Sequence, residues 1–255
     1  MLLIFLAIST LQLVSIILII VLLFLGFKIL ETNWSYKISK PHLWEIAVNE
    51  GAIPKQLKKT ERFYRDKARF YNFWFQVERL KKDYIQGAFA ELGVYKGETA
   101  RMIHLMDPSR KFYLFDTFEG FTEKDLQREN RESENLKSVD FSDTNVSLVI
   151  NFIEGTENIK VIPGYFPDTT VQLPDEKYAL VHLDADLYLP TLEGLKYFYP
   201  RLSKGGVIIV HDYNHTWEGV RKAVDEFASI IPEQIMELSD WQGSIMIIKN
   251  RLKEI

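Results

Sequence analysis

Two apolar stretches of the chain each end in side chains that can hold a cation or exchange a proton. The first, LDADLYLP at residues 183–190, carries Asp184, and the second, GGVIIVHDYNH at residues 205–215, carries His211 and Asp212. Carboxylates that are crowded at neighbouring strand ends repel one another unless a cationic or protonic group lies between them. The two stretches therefore predict a site at which such a group is held.

Three further polar residues accompany these stretches. Asp186 either caps the turn before the next helix or contacts a cofactor, and both alternatives stay open. His182 falls in the middle of an apolar run, where a hydrogen-bonded core histidine is expected. His215 follows the second stretch and is interpreted as a loop histidine without a role.

A glycine-containing turn, ELGVYKGET, follows an earlier apolar run. Gly93 and Gly97 allow a ligand to approach the backbone closely, beside Glu91. Tyr95 occupies the position at which a dinucleotide fingerprint would require another glycine. Asp116 lies 25 residues after Glu91, where an acid can accept the hydroxyls of a ribose. A glycine turn and an acid without a phosphate-binding lysine favour a nucleoside ligand such as S-adenosylmethionine.

The elements that must position these residues alternate between strand and helix from residue 87 onward. The predicted strands are AFAEL, KFYLFD, IKVIP, YALVHLD, GVIIV, QIMEL and SIMIIK, and a helical pattern follows the first, second, fourth and fifth of them. This order predicts an α/β fold with a doubly wound, mostly parallel, seven-stranded sheet and an antiparallel C-terminal hairpin. Ligands bind beyond the carboxyl ends of the strands in such sheets. The polar stretch at residues 122–142 is interpreted as a mobile loop or lid.

Composition narrows the class of protein. The 255 residues are 47% hydrophobic and 26% charged, which is typical of a globular domain. A net charge of −4 argues against a nucleic-acid partner. The absence of cysteine excludes disulfides and thiolate metal sites.

The first 27 residues carry no charged side chain and predict an uncleaved, single-pass transmembrane helix. A signal peptide is disfavoured, because a basic n-region and a small-residue cleavage site are lacking. Lys28, Lys37 and Lys40 follow the span, so the positive-inside rule places residues 28–255 in the cytoplasm. The predicted organisation is an anchor at 1–27, a juxtamembrane region at 28–86 and a catalytic domain at 87–255.

The juxtamembrane region contains a basic segment, residues 55–82, that is predicted as one amphipathic helix. Phe63, Phe70, Phe73 and Val77 recur at helical spacing and mark its apolar face. The basic face could lie against anionic lipid. A solvated helix face that covers the domain is the favoured interpretation.

Five motifs occur in order and resemble one known family: AELGVYKGETA, FDTFEGF, GYFPDT, LDADLYLPTLEGLKYFYPRLSKGGVIIVHDY and GVRKAVDEF. Together they resemble the macrocin O-methyltransferase family (TylF/MycF type) over roughly residues 86–250. The resemblance implies a Rossmann-like class I methyltransferase that uses S-adenosylmethionine and a divalent cation, usually Mg²⁺, to methylate a sugar hydroxyl. It also implies cofactor contacts from Glu91, Gly93, Gly97 and Asp116.

The implied metal ligands are Asp184 and the residue pair that follows the fifth strand, here His211 and Asp212. Histidine at the first position of this pair departs from the macrolide enzymes, where both residues are acids. Imidazole suits Mn²⁺, Fe²⁺ or Zn²⁺ better than Mg²⁺, so Mn²⁺ is an alternative metal. His211 is either a ligand or the base that accepts the hydroxyl proton, while Asp184 is expected to take part in catalysis.

Two other functions are compatible with parts of the sequence. One is a non-catalytic membrane subunit that keeps the fold and the cofactor pocket, which the intact acids Asp116, Asp184 and Asp212 argue against. The other is a nucleotide-sugar or NAD enzyme, which the missing glycine disfavours. The acceptor is left open, although a membrane anchor points to a lipid-linked glycan or another amphiphile. The sequence does not indicate an oligomeric state.

Overall fold

A seven-stranded sheet forms the centre of the molecule. The structure, a computed structural model, describes residues 9–35, 40–129, 141–155, 157–171 and 173–250. The strands, numbered in chain order, are β1 Ala88–Leu92, β2 Phe112–Asp116, β3 Ile159–Pro163, β4 Tyr178–Leu183, β5 Leu202–Val210, β6 Met236–Glu237 and β7 Ile245–Ile248.

The strand order is β3-β2-β1-β4-β5-β7-β6. The first five strands of this row pair in parallel, and β7 pairs antiparallel with both β5 and β6. Strands β1, β4 and β5 are buried along almost their whole length, as expected when helices cover both faces of a sheet. The predicted doubly wound sheet with an antiparallel C-terminal hairpin is confirmed.

The register of the sheet brings three strand ends level. Leu92 of β1 pairs with Leu183 of β4, and Leu183 pairs with Val210 of β5. The residues that follow these three leave the sheet in one row. Within this row, β1 and β4 are neighbours in the sheet although they are not consecutive in the chain. Such a change in strand order is the topological switch point, at which these folds bind ligands.

The helices connect and flank the strands. In chain order they are α1 Thr10–Ser35, α2 His42–Asn49, α3 Lys55–Phe63, α4 Lys67–Lys82, α5 Glu98–Met106, α6 Glu123–Leu126, α7 Val146–Ile153, α8 Tyr188–Arg201 and α9 Glu218–Ala228. The lid predicted at residues 122–142 includes α6, and residues 130–140 of it lie outside the described residues.

The single helix predicted over residues 55–82 is wrong, because the chain turns between α3 and α4. Tyr64 is extended, and the Asp66 side chain caps α4 by accepting a hydrogen bond from the backbone N–H of Arg69 at 2.9 Å. The turn leaves Phe63 70% exposed, so its predicted place on the apolar face is also wrong. The other three members of that face, Phe70, Phe73 and Val77, are buried as expected.

The sequence divides the chain at residue 87, whereas the structure groups residues 51–255 into one compact unit. The reason is the burial of apolar side chains from the two helices that precede the sheet, including Leu57 of α3 and Phe70, Phe73 and Leu80 of α4. The basic segment is therefore part of the fold that contains the sheet.

Residues 1–50 form a separate unit that contains α1 and α2. Within α1, the stretch Thr10–Leu30 is long and apolar enough to cross a membrane, with a mean hydropathy of 3.0. A signal sequence near an N-terminus has the same properties. Residues 1–8 of the predicted anchor lie outside the described residues.

Candidate active site

A cavity of about 420 Å³ opens at the carboxyl ends of the strands. Six of the seven sequence-predicted residues line it: Glu91, Gly93, Asp116, Asp184, His211 and Asp212. The seventh, Gly97, does not line the cavity and forms the N-cap of the adjoining α5. Other residues that line it come from regions that the sequence analysis did not connect with the site, among them Tyr64, Arg69, Phe121, Phe141, Trp217 and Gln242.

The glycine turn is needed for close packing as well as for ligand approach. Gly93 has a φ of +85°, and a Cβ atom on it would lie 1.9 Å from the backbone oxygen of Asp184. Gly97 also has a positive φ, of +81°, and forms the N-cap of α5. The glycine turn is thus packed directly against the loop that carries Asp184.

Asp116, at the end of β2, is held by the backbone of the glycine turn. Its Oδ2 accepts hydrogen bonds from the N–H groups of Val94 at 2.7 Å and Tyr95 at 2.8 Å, and its Oδ1 accepts one from Phe118 at 2.7 Å. A carboxylate oxygen has more than one lone pair, so the group keeps acceptor capacity for a ligand. The arrangement fixes the carboxylate at the wall of the cavity.

On the other side of the cavity, Asp184, His211 and Asp212 form one cluster. His211 Nδ1 lies 2.9 Å from Asp184 Oδ1 and 3.1 Å from Asp212 Oδ2. One potential ligand atom from each residue lies within 4.8 Å of the other two. Burial opposes protonation of His211, but the two carboxylates outweigh it and raise its pKa to about 9. A positive imidazolium thus sits between two acids.

Asp186 completes the acidic side. Burial, followed by the neighbouring charges of Asp184 and Asp212, raises its pKa well above the ordinary value, and its side chain is hydrogen-bonded to Asp212. Both Asp186 and Asp212 have a positive φ, 59° and 63°, which is uncommon for residues other than glycine. Such backbone conformations concentrate at functional sites.

Arg69 reaches the cluster from α4 and is one of the residues that the sequence analysis missed. Its Nη2 donates to Asp184 Oδ2 at 2.7 Å and lies 3.0 Å from His182 Nε2. Because a guanidinium only donates, His182 Nε2 accepts, and the ring proton is on Nδ1. That Nδ1 donates to Glu91 Oε1 at 2.8 Å. A buried chain of hydrogen bonds therefore runs from Glu91 to the acidic cluster.

Along this chain of hydrogen bonds, burial and neighbouring charges set the protonation of each group. Burial raises the pKa of Glu91 well above its ordinary value, and burial lowers the pKa of His182 well below its own. Burial would also raise the pKa of Asp184, but His211 and Arg69 outweigh it and hold that pKa well below the usual range. His182 is the hydrogen-bonded core histidine that the sequence predicts.

A signal for Arg69 was present in the sequence. Arg69, Phe73 and Val77 follow one another at intervals of four and share one face of α4. An arginine within an apolar stripe is buried only when it has a charged or polar partner. Gln242, by contrast, left no such signal, because it lies in the turn of the C-terminal hairpin and reaches Asp212 Oδ1 at 3.0 Å.

Aromatic side chains line another part of the cavity. Tyr95 and Phe141 contact edge to face with centroids 5.2 Å apart, Phe141 and Phe121 at 5.3 Å, and Phe121 and Trp217 at 6.3 Å. His215 is exposed and does not line the cavity; its ring is hydrogen-bonded to the neighbouring Thr216. This agrees with its interpretation as a loop histidine.

The donor set of the cluster fits a divalent cation. Two carboxylates and one imidazole offer three ligand atoms from two adjacent strand ends, and no other such group of three or more occurs among the described residues. Mg²⁺ takes few ligands from protein and keeps several positions for water or substrate. The imidazole also suits Mn²⁺.

Comparison with known proteins identifies one matching family. The family model described as macrocin-O-methyltransferase (TylF) matches residues 65–246. The mycinamicin III 3''-O-methyltransferase of Micromonospora griseorubida is 30% identical over 190 residues, which are 69% of this chain and 74% of that enzyme.

The 8-demethyl-8-(2,3-dimethoxy-alpha-L-rhamnosyl)-tetracenomycin-C 4'-O-methyltransferase of Streptomyces olivaceus is 28% identical over 176 residues. This match covers 62% of the chain and 64%, slightly less than two thirds, of that enzyme. Among solved structures, the O-methyltransferase NovP has a similar fold, with a TM-score of 0.58 and 23% identity over 72% of this chain and 81% of that one.

Proposed function

Because the chain belongs to the macrocin O-methyltransferase family, we propose that it is an S-adenosylmethionine-dependent O-methyltransferase that acts on a hydroxyl of a sugar or of a sugar-containing acceptor. The observation that carries this proposal is the presence, in one cavity, of a glycine turn with a fixed acid on one side and, on the other, three residues whose side chains could together hold a cation. Both relatives are named as O-methyltransferases, and the name of the Streptomyces olivaceus enzyme includes a rhamnosyl group.

The cofactor would lie against the glycine turn. Gly93 and Gly97 leave room beside the backbone, and Asp116 would accept hydrogen bonds from the ribose hydroxyls. Glu91 Oε2 is buried and finds no hydrogen-bond partner among the described residues, so it is a further polar atom that a ligand could contact at the floor of the cavity.

Asp184, His211 and Asp212 would hold the divalent cation, Mg²⁺ or Mn²⁺. When bound, such an ion supplies a Lewis acid that lowers the pKa of a hydroxyl and orients it. The residues themselves have further tasks. Asp184 is fixed by Arg69. His211 is an imidazolium between the two acids, so a cation bound to these carboxylates would first have to displace its proton. The neutral ring would then either take a place among the ligands or accept the hydroxyl proton through Nε2, which is buried and unpartnered among the described residues.

The rest of the chemistry is alignment. Methyl transfer requires the attacking oxygen, the methyl carbon and the sulfur to lie in line, and holding reactants in such a geometry contributes several kcal/mol. The aromatic wall that includes Phe121 and Trp217 would exclude water and offer flat surfaces to the C–H faces of a sugar ring.

We further propose that residues 1–27, most of which belong to the apolar stretch Thr10–Leu30, anchor the protein in a membrane with residues 28–255 in the cytoplasm. The one-sided lysines after the span support this orientation, and it agrees with a cytosolic supply of cofactor. A tag at the C-terminus should resist protease added to intact right-side-out cells. Cleavage of that tag from outside would contradict the cytoplasmic assignment.

The enzymatic proposal is tested with the full-length protein in detergent or nanodiscs. Calorimetry should detect S-adenosylmethionine binding, and labelled methyl groups should pass to cell-envelope glycan fractions when Mg²⁺ or Mn²⁺ is added. Chelator-treated protein that keeps full activity would remove the cation from the mechanism. Cofactor binding without transfer to any glycan fraction, with either metal, would favour the non-catalytic subunit.

A further inference from the structure

Two exposed aromatic side chains are carried by segments of the chain that also contribute to the lining of the cavity. Phe63 is 70% exposed and Trp241 is 86% exposed. Each is directly followed in the chain by a residue that lines the cavity, Tyr64 and Gln242 respectively. Covering large apolar side chains that are exposed to this degree is favourable, because their surface then leaves water.

A single carboxylate joins the two segments that carry these aromatics. Asp66 Oδ2 accepts a hydrogen bond from the backbone N–H of Trp241 at 2.8 Å. Its Oδ1 caps α4 through the N–H of Arg69. The hairpin turn and the α3–α4 corner are therefore one continuous margin of the cavity, and Phe63 and Trp241 both belong to it.

The exposed face of α3 is cationic. Lys55, Lys59 and Arg62 follow one another at helical spacing and are all exposed, and Arg65 is exposed just beyond the helix. Glu61, the acidic residue of α3, is buried and accepts a hydrogen bond from the Tyr71 hydroxyl. This concentration of positive charge contrasts with the net charge of −4 of the whole chain.

We propose that this margin, formed by α3, the α3–α4 corner and the hairpin turn around Trp241, docks on the anionic surface of a membrane. Basic side chains near an anionic leaflet are attracted to it, and tryptophan and phenylalanine insert at the level of the headgroups. The cavity mouth then opens at the lipid surface. The acceptor is, accordingly, a glycan attached to a lipid, an inference that rests on the proposed function.

A membrane explains the presence of both exposed basic and exposed aromatic side chains better than a soluble polyanion does. A polyanion would pair with the cations of α3 and leave the two aromatics in water, whereas a lipid interface satisfies both kinds of side chain. The chain also contains the apolar stretch Thr10–Leu30, and residues 31–54 connect it to α3. Once that stretch is in a bilayer, docking is an intramolecular event that needs little affinity of its own.

The natural chain has no cysteine, which allows single-site labelling. Phe63→Cys and Trp241→Cys would each carry an environment-sensitive fluorophore, with Tyr84→Cys as the control. Tyr84 is 83% exposed and lies at the amino end of β1, away from the cavity. Full-length protein is reconstituted in phosphatidylcholine vesicles with or without phosphatidylglycerol.

We expect the anionic lipid to raise the emission at positions 63 and 241 by about twofold with a blue shift, since the label moves from water into the interface. High salt should reverse the change, because the attraction is screened. Position 84 should not respond. An equal response at position 84, or none at positions 63 and 241, would overturn the proposal.

Charge reversal gives an independent test. The triple change Lys55→Glu, Lys59→Glu and Arg62→Glu should abolish the response at position 241. The matched control reverses three exposed lysines outside α3 and should keep the response: Lys82→Glu at the end of α4, Lys177→Glu just before β4 and Lys204→Glu near the start of β5. Loss of the response in the control as well would mean that bulk charge, and not this face, is responsible.

Cofactor binding separates this proposal from the proposed function. Both triple variants should bind S-adenosylmethionine as the natural protein does, which also reports that they are folded. If the labels fail to respond while methyl transfer to glycan fractions persists, the docking surface is refuted and the enzymatic function stands. If the labels respond but no transfer occurs, the docking surface stands and the enzymatic function fails.

Discussion

The two sides of the cavity are built in different ways. The proposed cofactor side consists mainly of backbone, since two glycines shape the turn and Asp116 accepts hydrogen bonds from two amides of that turn and from the amide of Phe118. The acidic side consists of side chains that converge from separate elements. Asp184 follows β4, His211 and Asp212 follow β5, Arg69 comes from α4 and Gln242 from the C-terminal turn.

The difference in construction implies a difference in sensitivity. A site made of backbone amides keeps its geometry when one side chain changes, so a substitution there costs the affinity of one contact. A cluster of buried charges depends on its balance, and removal of one partner leaves another charge uncompensated. Substitutions on the acidic side should therefore impair catalysis, whereas those on the cofactor side should mainly weaken binding.

The largest effect is expected for Asp184→Asn. This carboxylate contacts both His211 and Arg69, so the change removes a proposed cation ligand and leaves two positive groups without their shared partner. We expect kcat/KM to fall roughly 1,000-fold, because stabilisation by a bound cation is worth several kcal/mol. The affinity for S-adenosylmethionine, measured by calorimetry, should change little. A loss of cofactor affinity of the same size would show that the two sides are not separate.

Asp116→Asn tests the other side. The amide keeps the shape of the side chain but loses a charged acceptor for the ribose, which costs about 1.5–3 kcal/mol, or roughly 10- to 150-fold in the dissociation constant of the cofactor. The concentration of Mg²⁺ or Mn²⁺ that gives half-maximal activity should stay unchanged at saturating cofactor. Unchanged cofactor affinity would remove Asp116 from the site.

Arg69→Lys probes the buried link between the sides. Lysine keeps the charge but not the fork that contacts both Asp184 and His182, so Asp184 is held less firmly. Loss of a group that orients a ligand weakens metal affinity by about tenfold or more. The metal concentration for half-maximal activity should rise accordingly, with cofactor affinity unchanged. Lys82→Gln on the exposed surface of the same helix is the control, and tighter metal binding in Arg69→Lys would show that Arg69 competes with the cation.

The same contrast explains what could be predicted from the sequence. Gly93, Asp116, Asp184 and Asp212 each follow an apolar run directly, and strand ends meet at one edge of a parallel sheet, so their convergence was predictable. Arg69 and Gln242 lie far from these motifs along the chain, and only tertiary packing of α4 and of the hairpin turn brings them to the cluster. The break between α3 and α4 is not visible in the sequence pattern, because helical periodicity continues across it. The Asp66 side chain nevertheless caps the start of a new helix, α4.

Two buried histidines, one from each side, extend the comparison to electrostatics. His211 on the acidic side has a raised pKa, because two carboxylates outweigh its burial. His104, in α5 behind the glycine turn, has a lowered pKa, because burial outweighs its hydrogen bond to the backbone of Gly155. Burial therefore lowers the pKa of both histidines, and the two carboxylates beside His211 are the reason that its pKa is raised instead.

The smallest predicted effect concerns His104 and the dependence of stability on pH. Its Nε2 donates to the Gly155 oxygen at 2.9 Å, and Nδ1 is buried without a partner among the described residues, so protonation would bury an unpaired charge. Because the folded-state pKa lies below the ordinary 6.5, the unfolded chain binds more protons, and this stability is present above pH 6.5 and is lost as the pH falls below it. In His104→Gln, the midpoint of thermal unfolding should fall less between pH 7.5 and pH 5 than in the natural protein, since an amide does not titrate over about this range. His215→Gln, at an exposed position, should keep the natural slope; an unchanged slope in His104→Gln would show that His104 is not the group responsible.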